Sequence, residues 1–506
     1  MLVSDIVANN ARVRGGCVAL VVGEREISYR QLAELIEQTA GALAGRGIGY
    51  GDRVAVLAKN SLEYVQLYFA TAALGTILVP LNFWHRTSEH AHTLTDSEPA
   101  LLLVEAQYDK VIEPAAQGIP VLRIPGPEND RADWDRFLDG GVTVPEVAVN
   151  ENDPHMILYT SGTTGRPKGA MLSHRRTVDD AFAMATTLRA HDRDVFMNYF
   201  PPFHVGNWDH MKPFLLVGAK VILLREFDVD TVLPLLARHR VSVILGVPTM
   251  LHALITHTDF ADTDTSSVRL LYYGAYDPSG IMDRTADAFG AREGRIQMAH
   301  TYGLTEAGPF VTWCPPADVF QRWGSIGRAM PGVDLALLDD NGNEVPRGEP
   351  GEICVRGPRM IGYWRNEEAS REALAGGWLH TGDVAVADAD GFLTIVDRKK
   401  DVIRSGGQNV WSKEVEDCLA QHPSVAEAAV IGLPDSVYEE QVVAIIVPSG
   451  QPEPQLAEEL TTFVRTNLAG YNTPKSVHFV AEFPRTAVGK IQKHVLREQF
   501  GREARK

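Results

Sequence analysis

Short apolar runs typical of buried strands alternate with helix-like runs through the first half of this chain. Residues 54–57, 77–80, 101–104, 195–199 and 221–224 are strand-like. They are apolar throughout, as expected of strands in a sheet covered by helices on both faces. The pattern predicts an α/β protein.

One loop after a strand-like run has the composition of an anion-binding loop. Glycines at three positions would let backbone N–H groups approach a ligand closely, and a lysine supplies a charge suited to phosphate oxygens. The order of residues is not the Walker pattern. The predicted ligand is a polyphosphate, with an ordinary surface turn as the alternative on composition alone. The loop reads Thr160-Ser161-Gly162-Thr163-Thr164-Gly165-Arg166-Pro167-Lys168-Gly169.

The charge and cysteine content exclude several classes of protein. A net charge of −17 over 506 residues argues against nucleic-acid and anionic-membrane partners. The four cysteines are far apart, which argues against a zinc site or a disulfide framework and suits a reducing compartment. No apolar run approaches the roughly 18 residues of a membrane span. We therefore expect a soluble cytoplasmic protein, with its oligomeric state left open.

The pattern changes in the last third of the chain. Turn-rich sequence over residues 334–350 predicts a β-rich module. The charged segment 397–401 follows a strand-like run, and a small α+β unit is predicted beyond it. We place the domain boundary near Arg398 to Lys400, which divides the chain into residues 1–397 and 398–506.

Four further motifs decide in favour of a nucleotide site. In order with the phosphate loop, the five resemble the adenylate-forming superfamily of acyl-CoA synthetases, peptide-synthetase adenylation domains and beetle luciferases, over nearly the whole chain. In that family a carboxylate attacks the α-phosphorus of ATP, pyrophosphate leaves, and a thiol then displaces AMP from the acyl-adenylate. The later motifs are Pro201-Pro202-Phe203-His204, Thr301-Tyr302-Gly303-Leu304-Thr305-Glu306, Gly377-Trp378-Leu379-His380-Thr381-Gly382-Asp383 and Arg485-Thr486-Ala487-Val488-Gly489-Lys490-Ile491.

The resemblance implies a set of contacts to ATP in the large domain. Glu306 would hold Mg²⁺, for which a carboxylate oxygen is a suitable ligand. Thr305 would donate to the α-phosphate, and Tyr302 would stack on adenine. Gly274 and Ala275 would also lie against the nucleotide. The β- and γ-phosphates would be held by Thr160, Ser161, Gly162, Thr163, Thr164 and Lys168.

The resemblance also implies roles for residues at the end of the large domain and in the small domain. Asp383 and Arg398 would bind the ribose hydroxyls, and Lys490 would contact the α-phosphate and the attacking carboxylate. Lys400 would be the hinge of a small domain that rotates between the two half-reactions. Gly406 and Gly407 would lie against the pantetheine chain of coenzyme A, because no Cβ would intervene.

The residues around the second motif indicate which kind of acid the protein would bind. Peptide-synthetase domains usually carry an aspartate where His204 stands, so this chain favours an acid without an α-ammonium group. Asn207, Trp208 and Tyr276 are predicted to line the acyl pocket beside His204. Trp208, Tyr276 and either Asp209 or Asp277 predict a short, aromatic or polar-substituted acid rather than a long fatty acid.

Three functions are consistent with these motifs. The first is an ATP-dependent acid–CoA ligase. The second is an adenylating enzyme with another acceptor, such as a carrier-protein thiol or an amine, or one that activates a small oxyanion such as nitrite. The third, a non-enzymatic nucleotide-binding relative, is disfavoured because Lys168, Glu306 and Lys490 are all present. Departures from the family at Asp397, where glycine is usual, and at Trp411-Ser412 leave the thiol acceptor open.

Overall fold

The computed structural model of this chain describes residues 1–127, 130–160, 167–275, 280–435, 437–451, 453–485 and 491–503, with the side chains of residues 502 and 503 excluded. Several predicted site residues lie outside this part: Ser161, Gly162, Thr163, Thr164, Tyr276, Asp277 and Lys490. Their roles stay predictions.

The helices are α1 Asp5–Arg14, α2 Tyr29–Gly45, α3 Leu62–Leu74, α4 Thr87–Ser97, α5 Asp109–Ile112, α6 Ala132–Asp139, α7 His174–Thr187, α8 Val205–Val217, α9 Val229–Arg238, α10 Pro248–Thr256, α11 Ile281–Phe289, α12 Glu367–Ala373, α13 Ser412–Leu419, α14 Leu456–Asn467 and α15 Lys493–Glu503.

The strands are β1 Val18–Val22, β2 Arg25–Ser28, β3 Arg53–Leu57, β4 Ile77–Pro80, β5 Leu101–Val104, β6 Val121–Arg123, β7 Pro154–Thr160, β8 Lys168–Ser173, β9 Val195–Asn198, β10 Lys220–Leu223, β11 Val243–Gly246, β12 Leu270–Gly274, β13 Gln297–Leu304, β14 Gly308–Cys314, β15 Arg328–Ala329, β16 Asp334–Leu338, β17 Pro350–Arg356, β18 Gly362–Tyr363, β19 Leu379–Ala387, β20 Leu393–Arg398, β21 Ile403–Ser405, β22 Gln408–Val410, β23 Val425–Asp435, β24 Glu439–Pro448 and β25 Ser476–Phe479.

The contacts divide the chain into two compact units. The first comprises Met1–Tyr276, Ile281–Leu335 and Val355–His380, and the second comprises Asp277–Gly280, Ala336–Cys354 and Thr381–Lys506. The second unit thus takes in most of the β-rich module as well as the C-terminal residues. The boundary predicted near Arg398 is the position of a hinge between two domains, and that hinge stays a prediction.

Two large sheets form the first unit and confirm the predicted α/β class. One has nine strands in the order β15-β14-β13-β12-β11-β9-β10-β1-β2, and the other has seven in the order β18-β8-β7-β4-β3-β5-β6. Neighbouring strands β11, β12 and β13 are parallel, and their carboxyl ends therefore share one edge of the sheet. Such an edge is the usual position of ligand sites in α/β proteins.

Local sequence signals explain where key helices begin. The Ser28 hydroxyl accepts from the Gln31 backbone N–H, and the Gln31 side chain accepts from the Ser28 N–H, which completes a capping box at the start of α2. Ser173 caps α7 by accepting from the Arg176 N–H at 3.2 Å. This cap fixes α7 directly after the strand that leaves the phosphate loop.

The second unit contains a five-stranded sheet with helices on both faces. Strands β22, β21, β24 and β23 follow one another, and β25 pairs with β24. Alternate residues of β24 face opposite sides: Ala444 packs with Val415 and Leu460 of α13 and α14, while Ile445 packs with Leu496 of α15. A four-stranded sheet in the order β16-β17-β19-β20 contributes its last strand, β20, entirely to this unit.

Among the residues that the structure describes, no helix has both the length and the apolar character needed to cross a membrane.

Candidate active site

Glu306 lies beside the two strands that flank the phosphate loop. The hydroxyl of Thr160, at the end of β7, donates to Glu306 Oε1 at 3.2 Å. The Tyr363 hydroxyl donates to the same oxygen at 3.1 Å. Lys168 begins β8 opposite Thr160, and its Nζ lies 5.3 Å from the centre of the Tyr363 ring. The predicted metal carboxylate and the predicted phosphate lysine therefore share one neighbour.

The chemistry of this cluster fits a magnesium ion. Glu306 is half-buried, and among the described residues only its Oε1 has hydrogen-bond donors. Oε2 is thus the oxygen that would bind a hard cation beside phosphate oxygens. Burial and the neighbouring Glu306 carboxylate raise the pKa of Tyr363, so its O–H stays a donor at neutral pH.

A glycine permits the close turn that carries Thr305 and Glu306. A Cβ on Gly303 would lie 2.3 Å from the Gly308 carbonyl oxygen, so no other residue fits there. Gly308 has φ +98°, a conformation that favours glycine. Both strands that meet at this turn, β13 and β14, are therefore held in close contact at the site.

The end of β12 carries a strained residue. Ala275 has φ +77° and is exposed, a conformation that costs a residue with a Cβ about 1–2 kcal/mol. Such strain is concentrated at ligand sites, in keeping with the predicted contact of Gly274 and Ala275 with the nucleotide. Beside them, the His300 ring stacks on Tyr273 at 4.3 Å, and burial lowers the pKa of His300 to about 4.

His204 is an exposed residue at the start of α8. Its Nδ1 accepts a hydrogen bond from the Gly206 N–H at 3.0 Å. Because Nδ1 is an acceptor, the neutral ring carries its proton on Nε2. The ring therefore has an N–H donor that could meet a carboxylate, as the predicted role requires.

Two residues predicted to line the acyl pocket have partners in the core, and their pocket role stays a prediction. Asn207 donates to Asn60 Oδ1 at 2.8 Å and is fully buried. The Trp208 ring stacks on Tyr68 at 4.2 Å, and its N–H donates to the Pro202 carbonyl at 2.7 Å. Both side chains hold α8 against the core.

Asp209 is likewise a core residue rather than a pocket residue. It is fully buried and pairs with Arg176 at 2.7 Å and with Lys212. Burial alone would raise the pKa of Asp209, but the two cations lower it. A charged carboxylate is stable here because it is paired on both oxygens, so Asp209 gives no information about the acid.

Aromatic side chains from three elements meet next to His204. His210 of α8 lies 5.4 Å from the Phe310 ring, and its Nδ1 lies 3.0 Å from the Tyr272 hydroxyl. Burial lowers the pKa of His210 to about 3. Phe310 also stacks on Trp313 at 5.3 Å. The sequence analysis missed this cluster, because its members are separated by tens of residues.

In the second unit, Asp383 and Arg398 are opposite each other on β19 and β20. Arg398 Nε lies 3.1 Å from Asp383 Oδ1, and Asp383 is nearly buried. The structure thus brings together the two residues predicted to bind ribose. A carboxylate with two acceptor oxygens suits a pair of hydroxyl groups.

The predicted hinge and glycine pair follow β20. Lys400 is exposed. Gly406 and Gly407 form the turn between β21 and β22 with φ +59° and +78°, so this backbone conformation requires glycine. A Cβ on Gly407 would meet no atom within 4 Å, which leaves open space beside the backbone.

Comparison with known proteins identifies the family of this chain. Residues 7–364 match the AMP-binding enzyme family, and residues 414–490 match the AMP-binding enzyme C-terminal domain. A feruloyl-CoA synthase from Amycolatopsis sp is 37% identical over 97% of both chains. An indoleacetate–CoA ligase from Aromatoleum aromaticum is 34% identical over 99% of both. A crystal structure of an anthranilate CoA ligase with anthranoyl-AMP has a TM-score of 0.87 at 29% identity, covering 100% of this chain and 98% of the other.

The α/β fold, together with the matches to both AMP-binding family models, defines an adenylate-forming enzyme. This chain belongs to the AMP-binding enzyme family, in its acyl-CoA synthetase branch. The resemblance stated from the five motifs is thereby confirmed.

Proposed function

We propose that this protein is an ATP- and Mg²⁺-dependent ligase that joins an aromatic carboxylic acid to coenzyme A. The observation that carries the proposal is the Glu306 cluster, in which the Thr160 and Tyr363 hydroxyls donate to one carboxylate oxygen and Lys168 lies beside the Tyr363 ring. Among the described residues the other carboxylate oxygen has no hydrogen-bond donor, and a carboxylate with a lysine nearby suits a polyphosphate with its cation.

In the first half-reaction the acid's carboxylate oxygen forms a bond to the α-phosphorus, and the bond to pyrophosphate breaks. Lys168 offsets the charge of the phosphates, and Thr305 donates to the α-phosphate. A His204 Nε2–H donates to the carboxylate and orients it, which is the positioning that such a transfer requires. Mg²⁺ on Glu306 would neutralise charge on the phosphate oxygens.

In the second half-reaction the sulfur of coenzyme A attacks the carbonyl carbon of the acyl-adenylate, and AMP leaves with the bonding electrons. Gly406 and Gly407 have the backbone conformation that lets a pantetheine chain pass close to the main chain. Asp383 and Arg398 hold the ribose of AMP through both steps. Lys490 and Lys400 supply the catalytic cation and the hinge by resemblance.

The aromatic preference is supported by two relatives. The two relatives named above are called a feruloyl-CoA synthase and an indoleacetate–CoA ligase, and both acids are aromatic.

Mass spectrometry of the products tests this proposal. The protein is incubated with ATP, Mg²⁺ and a panel of aryl, amino-aryl and fatty acids, each with and without coenzyme A. We expect an acyl-CoA that depends on ATP and appears with aryl acids. Pyrophosphate and AMP without acyl-CoA would exclude coenzyme A as acceptor and direct the search to a carrier-protein thiol or an amine. A preference for long fatty acids would contradict the aromatic assignment.

A further inference from the structure

We infer that Tyr363 is a positioning residue for the metal ligand Glu306, and that its hydroxyl directs Glu306 Oε2 toward the magnesium ion. The inference rests on the proposed function, since it concerns the same ATP site. None of the five motifs includes Tyr363.

The two carboxylate oxygens of Glu306 differ in their hydrogen bonds. Oε1 accepts from both the Thr160 hydroxyl at 3.2 Å and the Tyr363 hydroxyl at 3.1 Å. Two donors occupy this oxygen, which fixes the rotation of the carboxylate group. Within the described part of the chain, Oε2 has no hydrogen-bond donor. Oε1 is therefore held by two hydroxyls, and Oε2 is the oxygen that can bind the metal ion.

The backbone around Tyr363 is bonded to both parts of the site. The Met360 N–H donates to the Glu306 carbonyl at 2.6 Å, and the Trp364 N–H donates to the Gly169 carbonyl at 2.7 Å. Between them, Tyr363 pairs with Ala170 in the β18–β8 ladder. The segment 360–364 therefore joins the turn of Glu306 to the strand that leaves the phosphate loop.

Tyr363 is also held by contacts of its own backbone and ring. Its backbone N–H donates to the Ser370 hydroxyl at 2.8 Å, which ties it to α12. Its ring lies 5.3 Å from Lys168 Nζ, within the range of a cation–π contact. One residue thus touches both the metal carboxylate and the phosphate lysine.

The hydroxyl and the ring make separable contributions. A partner hydrogen-bonded to a metal ligand fixes its orientation, and its removal typically costs about 10- to 100-fold in metal affinity or activity. Tyr363→Phe removes only the hydroxyl and keeps the ring beside Lys168. Tyr159→Phe is the matched control, because the hydroxyl of Tyr159, on the neighbouring strand β7, also donates to a carboxylate, that of Asp96 in α4.

The test measures metal binding directly. Mn²⁺, which also prefers oxygen ligands, is titrated in the presence of a non-hydrolysable ATP analogue and followed by electron paramagnetic resonance. We expect Tyr363→Phe to raise the Mn²⁺ dissociation constant about tenfold, while Tyr159→Phe leaves it unchanged. Binding of the analogue without metal is expected to be equal in all three proteins.

Two results would overturn the inference. Mn²⁺ affinity of Tyr363→Phe within twofold of wild type would show that the hydroxyl does not position Glu306. Equal losses in both variants would show a general effect of removing a buried hydroxyl. The proposed function is judged separately on the wild-type protein. If the wild type forms acyl-CoA and the Mn²⁺ affinity of Tyr363→Phe is unchanged, this inference alone is refuted. If the wild type binds no metal–nucleotide complex, both are refuted.

Discussion

The Asp397 carboxylate accepts a hydrogen bond from the Ser412 hydroxyl at 2.8 Å, although the two residues are 15 positions apart. The same carboxylate accepts from the Arg398 N–H at 2.7 Å and from the Lys413 N–H at 3.3 Å. Ser412 in turn receives a hydrogen bond from Lys493 Nζ at 2.7 Å. Asp397 therefore caps α13 and connects the predicted hinge segment to α13 and α15, which gives this aspartate a structural role.

We predict that Asp397→Gly frees the first turn of α13, because the loss of a cap costs about 1–2 kcal/mol. Hydrogen-exchange mass spectrometry would show faster exchange in peptides covering α13. Asp397→Asn, which keeps one acceptor oxygen, should show a smaller change. Unchanged protection in Asp397→Gly would mean that the cap adds nothing to the stability of α13.

A second prediction concerns pH and the buried charges behind the site. Asp180 is buried, and its Oδ2 has no hydrogen-bond partner among the residues that the structure describes. Burial raises its pKa to about 7 against an ordinary value of 3.8. Between these two values the folded protein binds more protons than the unfolded chain. This carboxyl therefore makes the protein less stable as the pH rises through that window.

Asp180→Asn removes this dependence, so the variant should gain stability relative to wild type between pH 4 and pH 7, by at most about 1.4 kcal/mol per pH unit. Urea midpoints at pH 5 and pH 8 measure the difference. Burial lowers the pKa values of His155 and His174, so these two residues make the protein more stable as the pH rises. Both proteins contain them, so their contribution cancels when the stability of the variant is compared with that of wild type. A difference that does not vary with pH would contradict the prediction.

The glycine pair gives a third prediction, which separates the two half-reactions. A side chain on Gly407 would extend into open space beside the backbone, where we place the pantetheine chain. Gly407→Leu should spare ATP–pyrophosphate exchange and reduce thioester formation at least tenfold. The control is Gly391→Leu, because Gly391 also has a positive φ of +83° and no atom within 4 Å of a Cβ. Equal losses in both half-reactions would contradict the assignment.

Much of the fold could be predicted because its signals are local. The capping box of Ser28 and Gln31 spans three residues, and the strand-like runs are continuous in sequence. Asp383 and Arg398 were predicted to bind ribose from the resemblance, and this role stays a prediction. Their direct contact required the β19–β20 register, which fixes them opposite each other.

The contacts that sequence reasoning missed join distant parts of the chain. Tyr363 and Glu306 are 57 positions apart, and Arg176 and Asp209 are 33 apart. Trp208 was assigned to the pocket because it follows His204 closely in sequence. On a helix that is buried on nearly all sides, neighbours point in different directions, so nearness to His204 could not decide which residues face the acid.

The last prediction concerns Lys490, which resemblance alone assigns to the α-phosphate and the attacking carboxylate. A fixed cation at developing charge is worth about two to three orders of magnitude in rate. Lys490→Ala should therefore slow acid-dependent pyrophosphate release by about 10²- to 10³-fold. The second half-reaction, started from supplied acyl-adenylate and coenzyme A, should be affected much less, because the attack is then on the carbonyl carbon and no bond to the α-phosphorus forms or breaks. A circular dichroism spectrum that matches wild type would show that the fold is intact. Wild-type pyrophosphate release from this variant would remove Lys490 from the mechanism and leave Lys168 as the cation to test next.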